Sequence, residues 1–384
     1  MSELDRLINE YCPNGVKYFP LSAVCNIGKG VQFNKADMND EGAYPVINGG
    51  ISPSGYIEQY NQDENTITIS QGGASAGFVN WLKVKFWAGA HCYIVKPKNG
   101  LLNRYVYHFI KSQEYKLQKC QYGAGIPALA KSTVLSLQIP VPPIEVQCEI
   151  VRILDTFVEL KEALTTELKA RNRQYSYYRD KLLKTFVDGK NVKLNSVCQI
   201  YDGTHQTPKY TKSGVPFVSV ENIDNLYATT KFISTEDFSK YKIKPQTGDV
   251  FMTRITAGVI GQCTVVDRDD DLAYYVSLAL LRPDKSVLDS KYLKYYLESS
   301  WGRKELAKRI LWDATPTKIN KDDIGKVFVA VPPIEEQKKI VQILDSFNSL
   351  CEDMSVGLPS EIEARQQQYE YYRDKLLDFK EMSV

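Results

Sequence analysis

Two loops carry the side chains best suited to reading another molecule. Ser70–Gly77 (SQGGASAG) and Thr253–Gly261 (TRITAGVIG) each follow a β-type run and surround one long polar side chain, Gln71 or Arg254, with small residues. A glutamine amide matches the donor and acceptor edge of adenine, and an arginine fork matches two acceptors of guanine. Gln71, Ser75, Arg254 and Thr256 are therefore candidate base contacts, although an ordinary tight hairpin turn explains the same loops. Lys29, Gln32, Asn48, Lys131, His205, Lys209 and Lys318 are further polar candidates, each of which also fits a solvated surface. Lys131 and Lys318 stand out because they occupy corresponding loops just ahead of two long helical stretches.

No catalytic constellation emerges beside them. SQGGASAG lacks the lysine and following hydroxyl residue of a phosphate loop, and GKGVQF (Gly28–Phe33) lacks a dinucleotide fingerprint. HExxH and EF-hand patterns are absent. Val-Pro-Pro-Ile, at Val141 and Val331, has no side-chain amide or carboxylate to accept an amine proton, so it is no amine-methylating motif. Eight scattered cysteines form no CxxC pair and are expected to be mostly buried, reduced packing residues. The three histidines lie far apart, and His91–Cys92 are adjacent, a poor geometry for one metal, so no metal site is expected.

Composition is that of an ordinary globular protein, with 43% hydrophobic and 24% charged residues. No apolar run reaches the ~20 residues needed to cross a bilayer, and the start, MSELDRLINEY, has no signal-peptide pattern. A cytoplasmic location is the expectation. The net charge of +2 decides nothing about nucleic acid, because a local basic face matters more than a total.

What must position the loops is an internal duplication. VPPIEVQCEIVRILDTFVEL begins at Val141 and VPPIEEQKKIVQILDSFNSL at Val331; YSYYRDKLL begins at Tyr175 and YEYYRDKLL at Tyr369. The second copy carries four extra residues around Val356–Ser360. Weaker matches pair LSAVC at Leu21 with LNSVC at Leu194, Arg104–Tyr105 with Lys291–Tyr292, and Gly123–Val134 with Trp312–Ile324. Each unit is a globular region of ~130–140 residues followed by a helix of ~40.

Pro143 and Pro333 suit first helical turns, and Glu145 and Glu335 sit near the positive ends. Ile150, Leu154, Phe157, Leu164 and Tyr178 form an apolar stripe in the first helix; Ile340, Leu344, Phe347, Cys351, Met354 and Tyr372 form one in the second. A helix of ~40 residues is ~60 Å long, more than its own globular region covers. The stripes are therefore expected to pair with each other, antiparallel, with the globular regions at opposite ends of a two-helix rod about a pseudo-twofold axis. Gly357 and Pro359 interrupt the second helix, and Ser360 with Glu363 could cap its restart.

Each globular region mixes short strands with one helical stretch. The first offers Tyr44–Ile47, Thr66–Ser70, Gly77–Trp81 and Cys92–Lys96, then a helix over Leu101–Gln121; the second offers Phe217–Val220, Val250–Thr253, Ile260–Val266 and Val276–Arg282, then a helix over Lys291–Arg309. The fold class is α+β, with twisted, partly antiparallel sheets.

The doubled VPPIExQ helix openings, the YYRDKLL ends and the divergent α+β regions together resemble the specificity subunit of type I restriction–modification systems, over essentially the whole chain. The resemblance implies target-recognition domains at 1–140 and 188–330 and conserved spacer helices at 141–187 and 331–384. Each domain would read half of a bipartite site in double-stranded DNA. The helices would form a coiled-coil spacer that sets the gap and docks two modification (methyltransferase) subunits. Restriction subunits, and the chemistry of S-adenosylmethionine, ATP and Mg, would lie in partner chains, with no cofactor in this one and no membrane partner. A helical scaffold without DNA binding, a specificity module of another multisubunit restriction system, and an autonomous DNA-modifying enzyme are the competing readings.

Overall fold

The computed structural model describes residues 2–39, 41–123, 125–187, 191–352 and 357–382. Five helices frame it: α1 (Asn103–Ser112), α2 (Ile144–Val187), α3 (Ser290–Glu298), α4 (Ile334–Glu352) and α5 (Leu358–Leu376). Two compact units divide the chain, Met1–Thr165 with Glu361–Val384, and Thr166–Ser360. The division falls inside α2 rather than at its ends, so each unit holds one globular region with parts of both long helical segments.

In the first unit, β1 (Cys25–Lys29), β2 (Thr66–Ser70), β3 (Val79–Leu82) and β4 (Cys92–Pro97) form an antiparallel sheet in the order β1-β4-β2-β3. In the second, β5 (Cys198–Asp202), β6 (Val250–Thr253), β7 (Cys263–Val265) and β8 (Leu278–Pro283) repeat it as β5-β8-β6-β7. A three-stranded sheet accompanies each, with one parallel pair: Val46–Ile47 beside Trp87–Ala88, and Phe217–Val218 beside Ala273–Tyr274. A short ladder ties the start of each region to the strand before its long helix, Tyr18–Pro20 to Gln138–Pro140 and Asn191–Lys193 to Phe328–Ala330. The edge strands β1 and β5 are absent from the sequence expectation, because glycine in Cys25–Lys29 and polar residues in both blunt the alternation. The helices expected over Leu101–Gln121 and Lys291–Arg309 each break once, at Gln113 and Ser299.

The helix-opening motif has a physical reason. Gln147 is fully buried; its Oε1 accepts from the Leu102 amide (2.9 Å), and its Nε2 donates to the carbonyls of Gly100 (3.0 Å) and Pro142 (2.8 Å). Gln337 does the same with the Asp289 amide and the carbonyls of Val287 and Pro332. One amide thus satisfies three backbone groups where a strand, a long helix and the entry to α1 or α3 meet. Tyr105 and Tyr292 close the same corner by donating to the Pro140 and Ala330 carbonyls, both at 3.0 Å.

The stripes divide their work along the helix. Ile150 and Leu154 are buried in the first unit's core, and Ile340 and Leu344 in the second's. Each such side chain contributes about 1.5–3 kcal/mol. One turn further on, the helices pair: Phe157 stacks on Tyr372 (5.3 Å between rings, 13° between planes), and Lys161 donates to Gln366 (2.6 Å). Rising numbers on α2 meet falling numbers on α5, which makes the pair antiparallel. In the second unit Tyr178 stacks on Phe347 (5.8 Å); Leu164 is half-buried. Packing on the globular region and helix pairing therefore both occur, at successive turns. Met354 and the Cys351 side chain lie outside the described residues. α5 begins at Leu358, two residues before the expected Ser360 cap, with Pro359 in its first turn where a missing N–H costs nothing.

Among the described residues no helix is long and apolar enough to cross a membrane.

Candidate nucleic-acid interface

The two loops singled out by sequence join adjacent antiparallel strands, β2 to β3 and β6 to β7, so each is a hairpin loop. Both close alike. The Gly77 amide donates to Ser70 O (2.8 Å) and the Gly261 amide to Thr253 O (2.9 Å), each glycine with φ near +90°. A side chain there would be strained and would press on Gln118 or Leu306.

Each hairpin is hydrogen-bonded to the loop ahead of its long helix. In the first unit, Gln71 O accepts from the Leu129 amide (2.7 Å), and the Gly73 amide donates to Pro127 O (2.8 Å). In the second, Arg254 O accepts from the Ile319 amide (2.9 Å), and the Thr256 amide donates to Thr317 O (3.0 Å). The far side of that loop adds a further rung, Tyr122 against Ala128 and Leu311 against Lys318. Each unit therefore builds the same two-loop platform from different residues. Its register aligns Gln71 with Arg254, Gly73 with Thr256 and Tyr122 with Leu311. Lys318 corresponds to Ala128, while Lys131 corresponds to Lys321, each opening a short helix. The expected correspondence of Lys131 with Lys318 therefore fails: Lys318 lies in the pre-helix loop, whereas Lys131 lies in the helix that follows it.

Around the first platform the structure gathers several expected residues at one edge of the main sheet. The Gln71 amide donates to His91 O, and the His91 amide donates to Asn48 Oδ1, both at 2.9 Å. Lys29 pairs with Tyr93 at the end of β1, and Gly30 follows it, packed so tightly on Ala88 and Gly89 that only glycine fits. This close approach explains the GKG sequence. Asn48 Oδ1 is thereby committed to the backbone, and Gln71 Oε1 is out of water without a partner among the described residues. Lys29 and Gln32 are exposed, as is Lys131; Ser75 is half-buried.

At the second platform Arg254 is buried. Its guanidinium pairs with Asp202 at the end of β5 and donates through Nε to Ile319 O (3.2 Å). Arg254 is thus a strut that joins β5, β6 and the pre-helix loop, with its fork engaged inside the protein. Thr256 is half-buried, and its Oγ1 accepts from the Gly258 amide (2.9 Å). Lys318 is half-buried and has no ion pair among the described residues. His205 and Lys209 are exposed; Lys209 borders a shallow depression of about 510 Å³ lined by Thr204, Thr207 and Tyr241.

Sequence reasoning missed a second arrangement, beside the helix pairing. In the first unit His108 is fully buried, with Nε2 2.9 Å from Asp155 Oδ1 and Nδ1 2.9 Å from the Tyr369 hydroxyl. Arg104 also donates to Asp155 (2.6 Å) and lies over Trp81 and Tyr107. Burial lowers the His108 pKa, against the opposing effect of the hydrogen bond it donates to Asp155. Burial would raise Asp155, yet the hydrogen bonds from His108 and Arg104 win and lower it. The second unit substitutes Tyr295, which donates to Asp345 (2.5 Å), with Lys291 at 2.7 Å. The readable signal is the ILD triplet, whose aspartate recurs at 155 and 345. Its buried partners come from α1 and α3, which no local pattern reveals.

Five described cysteines are buried and two, Cys120 and Cys148, exposed; burial pushes the thiols of Cys25, Cys92 and Cys198 up to about 12. Among the described residues no group of three or more metal-ligating side chains is assembled.

The sequence model of the type I restriction modification DNA specificity domain matches the chain twice, at residues 13–171 and 187–364. A putative type I restriction enzyme specificity subunit of Haemophilus influenzae is 30% identical over 95% of this chain and 96% of its own length. The EcoR124I/EcoR124II specificity subunit of Escherichia coli is 26% identical over 99% and 97%. The crystal structure of the type I S subunit from M. genitalium shares the fold, with a TM-score of 0.60 at 17% identity over 94% of this chain and 96% of that one. A structure from a study of type I restriction–modification complex assembly and conformational transition also matches, with a TM-score of 0.56 at 20% identity over 95% and 98%.

Proposed function

The chain belongs to the type I restriction–modification DNA specificity family, and on that footing we propose that it is the specificity subunit of such a complex, each unit reading one half of a bipartite duplex site. The observation that carries the two-reader assignment is the duplicated platform: the same backbone hydrogen bonds join hairpin to pre-helix loop in both units, while the side chains on that loop differ, Tyr122 and Ala128 in one against Leu311 and Lys318 in the other. A conserved frame with exchanged side chains is what two readers of different half-sites require. The paired helices supply the spacer between readers, as dimeric readers space their half-sites at a fixed distance.

This chain is a non-catalytic member of the complex. Two modification subunits dock on the helical segments and supply methyl transfer from S-adenosylmethionine. Restriction subunits supply ATP- and Mg-dependent cleavage. Lys29, Gln32, Lys131, His205, Lys209 and Lys318 serve as phosphate or base-edge contacts. Gln71, Ser75 and Thr256 offer hairpin contacts, while Asn48 and Arg254 hold their platforms in shape.

Genome-wide methylation mapping with the partner subunits present tests the assignment. A bipartite motif with a fixed gap is the expected result. Methylation without such a motif, or a chain that binds duplex DNA with no sequence preference, refutes it.

A further inference from the structure

Trp312 is 64% exposed, and its neighbour Leu311 is 44% exposed, at the tip of the second unit's platform. The other three tryptophans, Trp81, Trp87 and Trp301, are each partly buried. Trp301 donates to Asp180 O, Trp87 to Val31 O, and Trp81 packs under Arg104. Among the described residues Trp312 makes one hydrogen bond, its Nε1 donating to Ala307 O at 3.3 Å.

The backbone beneath it is fixed. Leu311 pairs with Lys318, Lys318 pairs with Ile255 in the hairpin loop, and Arg254 locks that hairpin to β5 through Asp202. An indole with an open face, mounted on a braced loop, loses little entropy on contact and presents a large apolar surface. The first unit places Tyr122, 58% exposed, at the position of Leu311. Each platform therefore shows solvent an aromatic side chain that its core does not use.

Resting on the two-reader assignment, we infer that Trp312 is a specificity-determining DNA contact of the second unit. Its ring lies against base edges or thymine methyls of one half-site. Lys318 beside it, free of any ion pair among the described residues, takes a phosphate, while Asp313 disfavours a backbone oxygen at the neighbouring position. Apolar contact with the C5 methyl, which thymine alone carries, is what gives such a ring a sequence preference.

The test uses the complex of this chain with its modification subunits, as wild type, Trp312→Ala and Trp312→Phe. Methylation is mapped genome-wide, and affinity is measured on duplexes that carry both half-sites or one scrambled half-site. Trp312→Ala should bind the full site about ten-fold or more weakly and tolerate new bases at one or two positions of a single half-site. The other half-site and the gap should stay unchanged, and Trp312→Phe should restore most of the preference. A folded Trp312→Ala complex with wild-type affinity and motif overturns the inference and leaves the two-reader assignment standing. Equal relaxation of both half-sites also overturns it, because the effect would then be global. If the wild-type complex itself shows no bipartite motif, the two-reader assignment has failed instead.

Discussion

At the residue scale, single polar side chains hold the corners on which everything else depends. Gln147 satisfies three backbone groups that have no water to turn to. Gln147→Leu should destabilise the first unit by about 2–4 kcal/mol, since each orphaned buried group costs about 1–3 kcal/mol and relaxation recovers part. Urea unfolding checks this, and Gln337→Leu should do the same to the second unit. His108 gives a pH signature. Its folded pKa lies below the usual value because burial disfavours the cation. Above about pH 6.5 both folded and unfolded chains carry it neutral, and its contribution is intact. As pH falls below that, the unfolded chain takes the proton first, so stability drops. His108→Tyr, which copies Tyr295 of the second unit, should flatten the urea midpoint between pH 7 and 5 relative to wild type. An unchanged slope would show that other groups set the acid limit. Arg254→Met should cost the fold about 3 kcal/mol or more, because Asp202 is left without its cation. Lys318→Ala should barely move the unfolding midpoint and should weaken duplex binding.

At the element scale, the same frame appears twice with different cargo. The order β1-β4-β2-β3 recurs as β5-β8-β6-β7, and both hairpin loops end on a positive-φ glycine. What varies lies between those anchors. The long helical segments carry the converse logic, with repeated sequence and repeated contacts. The first turns of α2 and α4 bury Ile150, Leu154, Ile340 and Leu344, and the next turns stack Phe157 on Tyr372 and Tyr178 on Phe347. Lengthening either long helical segment by one turn adds about 6 Å, roughly two base-pair steps at 3.4 Å each. Methylation mapping should then show a changed gap between unchanged half-sites. Changed half-sites with the original gap would count against the spacer role.

At the scale of the whole molecule, net charge is only +2, so DNA affinity must come from local cations rather than from the total field. Binding of the intact chain to its duplex should still weaken with salt. The logarithmic slope should reflect the few unpaired lysines named above, and Lys131→Ala or Lys318→Ala should each reduce it by about one. A slope unchanged by either substitution would remove those lysines from the phosphate contacts.

The duplication, the α+β class, the helix openings and the family resemblance were all legible along the chain. Repeats and helical periodicity are local, and they survive without knowledge of contacts. Six of the eight strands in the two four-stranded sheets were legible for the same reason, while β1 and β5 were hidden because edge strands with glycine and polar residues carry no clean alternation, and the two- and three-residue strands outside those sheets are too short to show any. The candidate site was legible as loops but not as side-chain roles. Gln71 and Arg254 look equally free in sequence, yet folding commits Arg254 to Asp202, some fifty residues away in the chain. Asn48 is likewise spent on His91. Only tertiary packing decides which polar groups are used up inside, because each buried one must find a partner. It also left Trp312 exposed, which no periodicity foretells. The two loops first picked out for their chemistry are one half of each platform, and the loops before the helices are the other.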